Sequence, residues 1–119
     1  MQKSPDQLRA RTKEFANRII RLFTALPPKA TAQVIGKQVL RSGTAVGANY
    51  RAACRARSRN EFVAKLGVVV EEADETVYWL ELLSDNNIVR PARLEKLLGE
   101  AHELTAIFTA AQHTTRSRR

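Results

Sequence analysis

The sequence predicts an all-α protein, an antiparallel four-helix bundle, and three observations carry that reading. Only five glycines and four prolines interrupt 119 residues. No strand-like alternation of apolar and polar residues persists. Apolar residues instead recur every three or four positions in four separate stretches, the spacing of one buried helix face. A chain of this length holds a single core, so residues 1–115 are expected to form the bundle and 116–119 a basic tail. Apolar residues make up 44% and charged residues 27%, an ordinary globular balance.

The first helix opens at "SPDQ", with Ser4 as N-cap, Pro5 at the first helical position and Gln7 completing a capping box. It runs to about Leu26, where Pro27 and Pro28 end it. Leu8, Phe15, Ile19, Leu22 and Leu26 form its inward stripe, and Arg11, Arg18 and Arg21 lie off it. The second helix starts near Thr31 and carries Ile35, Val39, Val46 and Ala53 inward, passing through Ser42, Gly43 and Gly47. Each helix-interior glycine costs about 1 kcal/mol against alanine. Close approach of another helix offsets that cost most simply. "SRNE" at 58–61 is a second capping box. It opens a third helix whose Phe62, Leu66, Val69, Ala73, Val77, Leu80 and Ser84 share an arc of roughly 80°. Asn86 and Asn87 suit a turn. Pro91 starts a fourth helix, whose inward positions are Leu94, Leu97, Leu98, Ala101, Leu104, Ile107 and Phe108. The closing "HTTRSRR" is expected to fray.

The net charge of +8 is unevenly placed. Residues 1–65 hold 14 Lys and Arg against three acids, whereas residues 66–115 hold three against nine. Such polarity suits a polyanion, and it equally suits copies of the chain that set a basic face against an acidic one. No window approaches the ~20 apolar residues of a membrane span, and "MQKSPDQLRARTKEF" lacks the apolar core of a signal peptide. A cytoplasmic protein without membrane contact is expected. Cys54 has no disulfide partner, and with only His102 and His113 it makes no metal cluster. It reads as a small buried residue.

Chemistry finds little support. The acids of "EEADE" fall on the outer face of the third helix instead of converging in a cleft. No Glu stands three residues before either histidine, as a di-iron bundle requires. "GTAVGA" lacks the Lys-Ser/Thr and the preceding strand of a phosphate loop. The expectation is a non-enzyme with no catalytic residue, cofactor or metal.

The basic segment is more informative. "RSGTAVGANYRAACRARSR", residues 41–59, holds five arginines and no acid. On a continuous helix Lys37, Arg41, Arg51, Arg55 and Arg59 share an arc of about 80°, with Arg57 nearly opposite. Ser58 as N-cap implies that the helix has ended before Arg59. These six cations are the candidate nucleic-acid contacts, able to neutralise phosphates in a salt-sensitive, sequence-tolerant way. Tyr50 is the one aromatic nearby that could stack on a base. On the third helix, Tyr78 and Trp79 lie outside the core arc beside Val68, Glu72 and Glu75, and these five residues are the candidate interface between copies. The alternative reading joins the two surfaces: Arg51 and Arg55 of one copy meet Glu71 and Glu75 of the next, and no nucleic acid is bound.

The stretch "RSGTAVGANYRAACRARSRNEFVAKLGVVVEEADETVYWLELL" resembles the four-helix bundle proteins encoded by intervening sequences inside bacterial 23S ribosomal RNA genes. The order of its parts carries the likeness: Arg with small residues, Gly-Ala-Asn, a basic turn with Ser, then Glu-Phe and Glu-Glu-Ala-Asp-Glu. The resemblance implies an up-and-down bundle assembling as a ring, a homopentamer, and no reaction. More distantly the chain is similar to accessory proteins of diversity-generating retroelements, which implies ribosomal RNA or a reverse transcriptase–RNA complex as partner. Arg41, Gly47, Ala48 and Asn49 match the family's helix-two motif. Other branches carry Glu and Gly after the asparagine, where this chain has Ala52 and Ala53. In this reading Gly43, Gly47 and Ala48 allow close helix packing and Asn49 fixes register by an interhelical hydrogen bond.

Overall fold

The computed structural model describes residues 4–118. Four helices follow in order: α1 (Pro5–Ala25), α2 (Ala30–Cys54), α3 (Arg59–Asp85) and α4 (Pro91–Ser117). Short connections force each helix to run antiparallel to the one before, giving an up-and-down bundle of about 50 × 24 × 20 Å. α1 packs on α2, α2 on α3 and α3 on α4, while α1 and α4 touch only sparingly.

The helix boundaries follow from local chemistry. At Ser4 the full capping box forms: the hydroxyl accepts from the Gln7 N–H, and the Gln7 side chain accepts from the Ser4 N–H. Leu26 is extended because Pro27 follows it, and this ends α1. Ser58 caps α3 by accepting from the Glu61 N–H at 3.1 Å. The expected reciprocal bond is displaced by one residue, and Glu61 accepts from the Arg57 N–H instead. At the end of α3, Asn87 takes φ 56°, a left-handed conformation that asparagine tolerates. The N–H of Ile88 then reaches the Leu83 carbonyl at 3.0 Å and that of Asn87 the Ser84 carbonyl at 3.1 Å, a Schellman closure.

The tail departs from expectation, because α4 continues as helix through Ser117. Gln112 donates to the Val63 carbonyl at 3.1 Å and ties the last turns of α4 to the first turn of α3. The Thr115 and Ser117 hydroxyls add bonds to the carbonyls four residues back.

Phe15 and Ile19 of α1, Val39 and Val46 of α2, Leu66, Val69, Leu80 and Leu83 of α3, and Leu94, Leu104 and Phe108 of α4 fill the core. Three α2 glycines set its closest seam. A Cβ on Gly43 would lie 2.7 Å from Ile19 Cγ1, one on Gly36 2.4 Å from Leu26 Cδ1, and one on Gly47 within 3.3 Å of Thr12, including its carbonyl oxygen. The spacing of seven and four puts all three on one face, toward α1. Gly36 joins the two glycines that the sequence singles out. Thr12, between Leu8 and Phe15 on the same stripe, is fully buried, and its hydroxyl donates to the Leu8 carbonyl at 2.9 Å.

On the other side of α2, the buried Ser42 and Thr76 hydroxyls lie 2.8 Å apart. Thr76 Oγ1 is also 2.7 Å from the Glu72 carbonyl. Each hydroxyl has one proton, so Thr76 donates to that carbonyl and accepts from Ser42.

Two packing expectations fail. Ala48 is exposed, outside the seam that Gly47 makes. Asn49 donates to the Ala45 carbonyl of its own helix at 2.8 Å, so it pins no neighbouring helix. Helix geometry explains both. Positions 43 and 47 face α1, and the residues one and two beyond Gly47 rotate by about 100° and 200° away from it.

Candidate nucleic-acid interface

The six candidate cations do not form one line. α2 ends at Cys54, with Arg55 as its C-cap. Arg57 therefore lies in the connection and Arg59 is the first residue of α3. Arg41 is engaged within the chain: its guanidinium bonds Glu72 at 3.2 Å, Glu75, and the side-chain oxygen of Gln38 at 3.2 Å. It holds α2 to α3, so its charge is matched twice over. Lys37 is exposed but stands 14 residues before Arg51, about 21 Å along the helix.

What remains is a corner. Arg51, Arg55, Arg57 and Arg59 are all exposed where α2 turns into α3. No described acid lies within ion-pairing distance of any of them. Arg51 also sits in the last turn of α2, where the carbonyl end of the helix dipole favours a cation.

The first turns of α1 bring two more cations to the same end. Arg9, Lys13 and Arg51 line a shallow groove of about 440 Å³ between α1 and α2, floored by Ala10, Gly47 and Ala48. Arg9 bonds Asp6 and lies beside Cys54, and its guanidinium is held above the usual range by Cys54 first and Asp6 second. Sequence reading missed Arg9 and Lys13. Their signal is the antiparallel order itself, which sets the start of α1 beside the end of α2.

The corner can neutralise phosphate and cannot read bases by stacking. Tyr50, the aromatic expected to be available, is only 4% exposed. Its ring packs on Phe108 with centroids 4.9 Å apart, and burial raises its phenol, with Cys54 beside it. Among the described residues no three His, Cys, Asp or Glu side chains converge as metal ligands. Among the described residues no helix is long and apolar enough to cross a membrane.

The candidate interface on α3 is also redistributed. Glu72 and Glu75 are occupied by Arg41 of the same chain. Trp79, expected to be exposed, is half-buried against the core, and its Nε1–H donates to Glu75 at 3.0 Å. Glu75 Oε2 thus receives both Arg41 and Trp79 of its own chain. Val68 and Tyr78 remain exposed, at 38% and 54%. A larger feature went unread in the sequence: Arg11, off the apolar stripe of α1, makes a two-pronged bond to Glu100 of α4, both contacts 2.7 Å, and a third to Glu103 at 2.9 Å. The Glu100 hydrogen bonds raise the Arg11 guanidinium above its usual range.

Among known structures, the crystal structure at 1.70 Å of a protein of unknown function from the S23 ribosomal protein family of Bacteroides thetaiotaomicron superposes with a TM-score of 0.85. The two sequences are 35% identical, and the likeness covers 92% of this chain and 97% of that one. No curated protein matches significantly. The four-helix fold, this neighbour, and a match of residues 7–110 to the 23S rRNA-intervening sequence proteins together show that the chain belongs to that family.

Proposed function

We propose that the protein is a non-enzymatic, homo-oligomeric helical bundle of the cytoplasm that binds RNA through the α2–α3 corner, with ribosomal RNA the RNA that its family points to. One observation supports the reading: Arg51, Arg55, Arg57 and Arg59 are exposed together and have no ionic partner among the described residues, while Arg41, next to the acids of α3, is neutralised by them. Arg9 and Lys13 widen the basic surface across the α1–α2 groove. Contacts of this kind go to the phosphate backbone, so binding is sequence-tolerant and weakens steeply with salt.

The test is a titration of the nuclease-treated protein with a mixed-sequence structured RNA across a salt series. The expected result is an affinity whose logarithm falls linearly with the logarithm of salt, with a slope of about three to five for four to six phosphate contacts. An absence of binding at low salt overturns the reading.

The scaffold alternative, in which basic and acidic faces pair between copies without nucleic acid, keeps one supporting observation. Glu71, Asp74, Glu81 and Asp85 of α3 are exposed and have no basic partner within ion-pairing distance among the described residues. Those acids are free to meet a basic surface of another copy, and the corner is not the only one available.

A further inference from the structure

The sparse α1–α4 seam opens at one end into a groove of about 700 Å³, between the last turns of α1 and the first turns of α4. Five cations line it, Arg18 and Arg21 from α1 and Arg90, Arg93 and Lys96 from the α4 side, and no acid does. Among the described residues only Arg21 of these has an ionic partner, Glu14 at 3.1 Å. Leu22, Leu26, Ile88, Val89, Leu94 and Leu97 supply apolar surface beneath them. The start of α4 adds positive potential, since its N-cap Arg90 makes no side-chain capping bond. A groove built this way takes an elongated anionic element that also carries an apolar group.

The same chain presents such an element. Glu71, Asp74, Tyr78, Glu81 and Asp85 follow at intervals of three, four, three and four, and so share one face of α3 over about 21 Å. All five are exposed. Tyr78 sits at the middle of the stripe, 54% exposed, with its ring held edge-on against Trp79 at 5.0 Å between centroids. Trp79 is fixed in turn by its bond to Glu75. The stripe therefore carries a rigid aromatic knob flanked by acids, the composition of an interface anchor.

We propose that the acidic stripe of α3 in one copy docks in the basic α1–α4 groove of the next, with Tyr78 against the apolar floor. This rests on the homo-oligomer reading above and assigns its contact. α3 contributes no residue to the groove, and each helix is fixed by the core, so a chain cannot fill its own groove. The contact is therefore heterologous, and it either closes into a ring or runs on as a filament. It uses cations other than those of the α2–α3 corner, leaving the corner free.

The experiment is the native mass of nuclease-treated protein by sedimentation, with helicity followed by circular dichroism. Arg90→Glu/Arg93→Glu and Asp74→Arg/Glu81→Arg each reverse an exposed surface, and each is expected to give a helical monomer at micromolar concentration. All four substitutions in one chain restore the opposite-sign match and are expected to recover the assembly. Tyr78→Ala, which leaves every charge in place, is expected to weaken association at least tenfold. An oligomeric parent whose mass ignores the reversals, or a four-substitution chain that stays monomeric, overturns this contact and leaves the oligomer reading standing. A monomeric parent overturns both.

Discussion

α1 meets α2 across glycine and meets α4 across charge. At the first seam a Cβ on Gly36 or Gly43 would overlap Leu26 or Ile19 and one on Gly47 would crowd Thr12, so the helices approach closely where these glycines stand. At the second, the helices stand apart, and a single guanidinium bridges them by holding Glu100 and Glu103 near mid-helix. The contrast teaches where a bundle can carry function. A seam of small residues is sealed along its glycines and keeps only a shallow groove beside Gly47, whereas a seam held by one charged clamp leaves larger open grooves toward its ends, one of them ringed by cations.

The sharpest way to break that comparison is to add volume to the sealed seam. Gly43→Leu is expected to cost about 3 kcal/mol or more in urea unfolding, since even its Cβ overlaps the fully buried Ile19. A variant as stable as the parent would show that α1 and α2 do not approach there. Next in size is the clamp. Arg11→Ala removes a partly buried fork and leaves Glu100 unpaired, at an expected cost of about 2 kcal/mol. Because the lost contact joins α1 to α4 alone, amides of the α1–α4 seam should gain hydrogen exchange before those of the α1–α2 seam. Equal gains in both would show that the seams are not independent. The smallest effect has the opposite sign. Gly99 has nothing within 4 Å of a built Cβ, so Gly99→Ala should stabilise by about 0.5–1 kcal/mol, and a loss of stability there would deny that its face is open.

The sealed seam was legible and the clamped one was not, for physical reasons. A glycine in a helix interior is a local cost, so Gly43 and Gly47 announce that something close offsets it. The helix ends were equally readable, since Ser4, Pro27, Ser58 and Asn87 act on neighbouring backbone. The Arg11–Glu100 fork joins residues 89 positions apart, and an arginine off the apolar stripe looks the same whether it meets water or a carboxylate. Arg41 was misplaced among the free cations for the same reason, because its acids are 31 and 34 residues away. Tyr50 is expected to be available only because it lies near the basic residues, although it stands four residues after Val46 and three before Ala53 on the inward stripe, and Trp79 is expected outside the core arc of α3. The Tyr50 ring packs on Phe108, and the Trp79 ring is large enough to reach the core from outside the arc.

The segregation of free from matched arginines is the centre of the functional account, and one comparison tests it directly. The salt dependence of RNA binding should be measured for the parent, for Arg51→Ala/Arg55→Ala and for Arg41→Ala, with stability checked for each. The corner variant is expected to lose about two from the slope, one for each cation removed, while Arg41→Ala keeps the parent's slope because its charge is already held by Glu72 and Glu75. If Arg41→Ala lowers the slope as much as the corner variant does, or if the corner variant binds like the parent, the α2–α3 corner is not where this protein meets RNA.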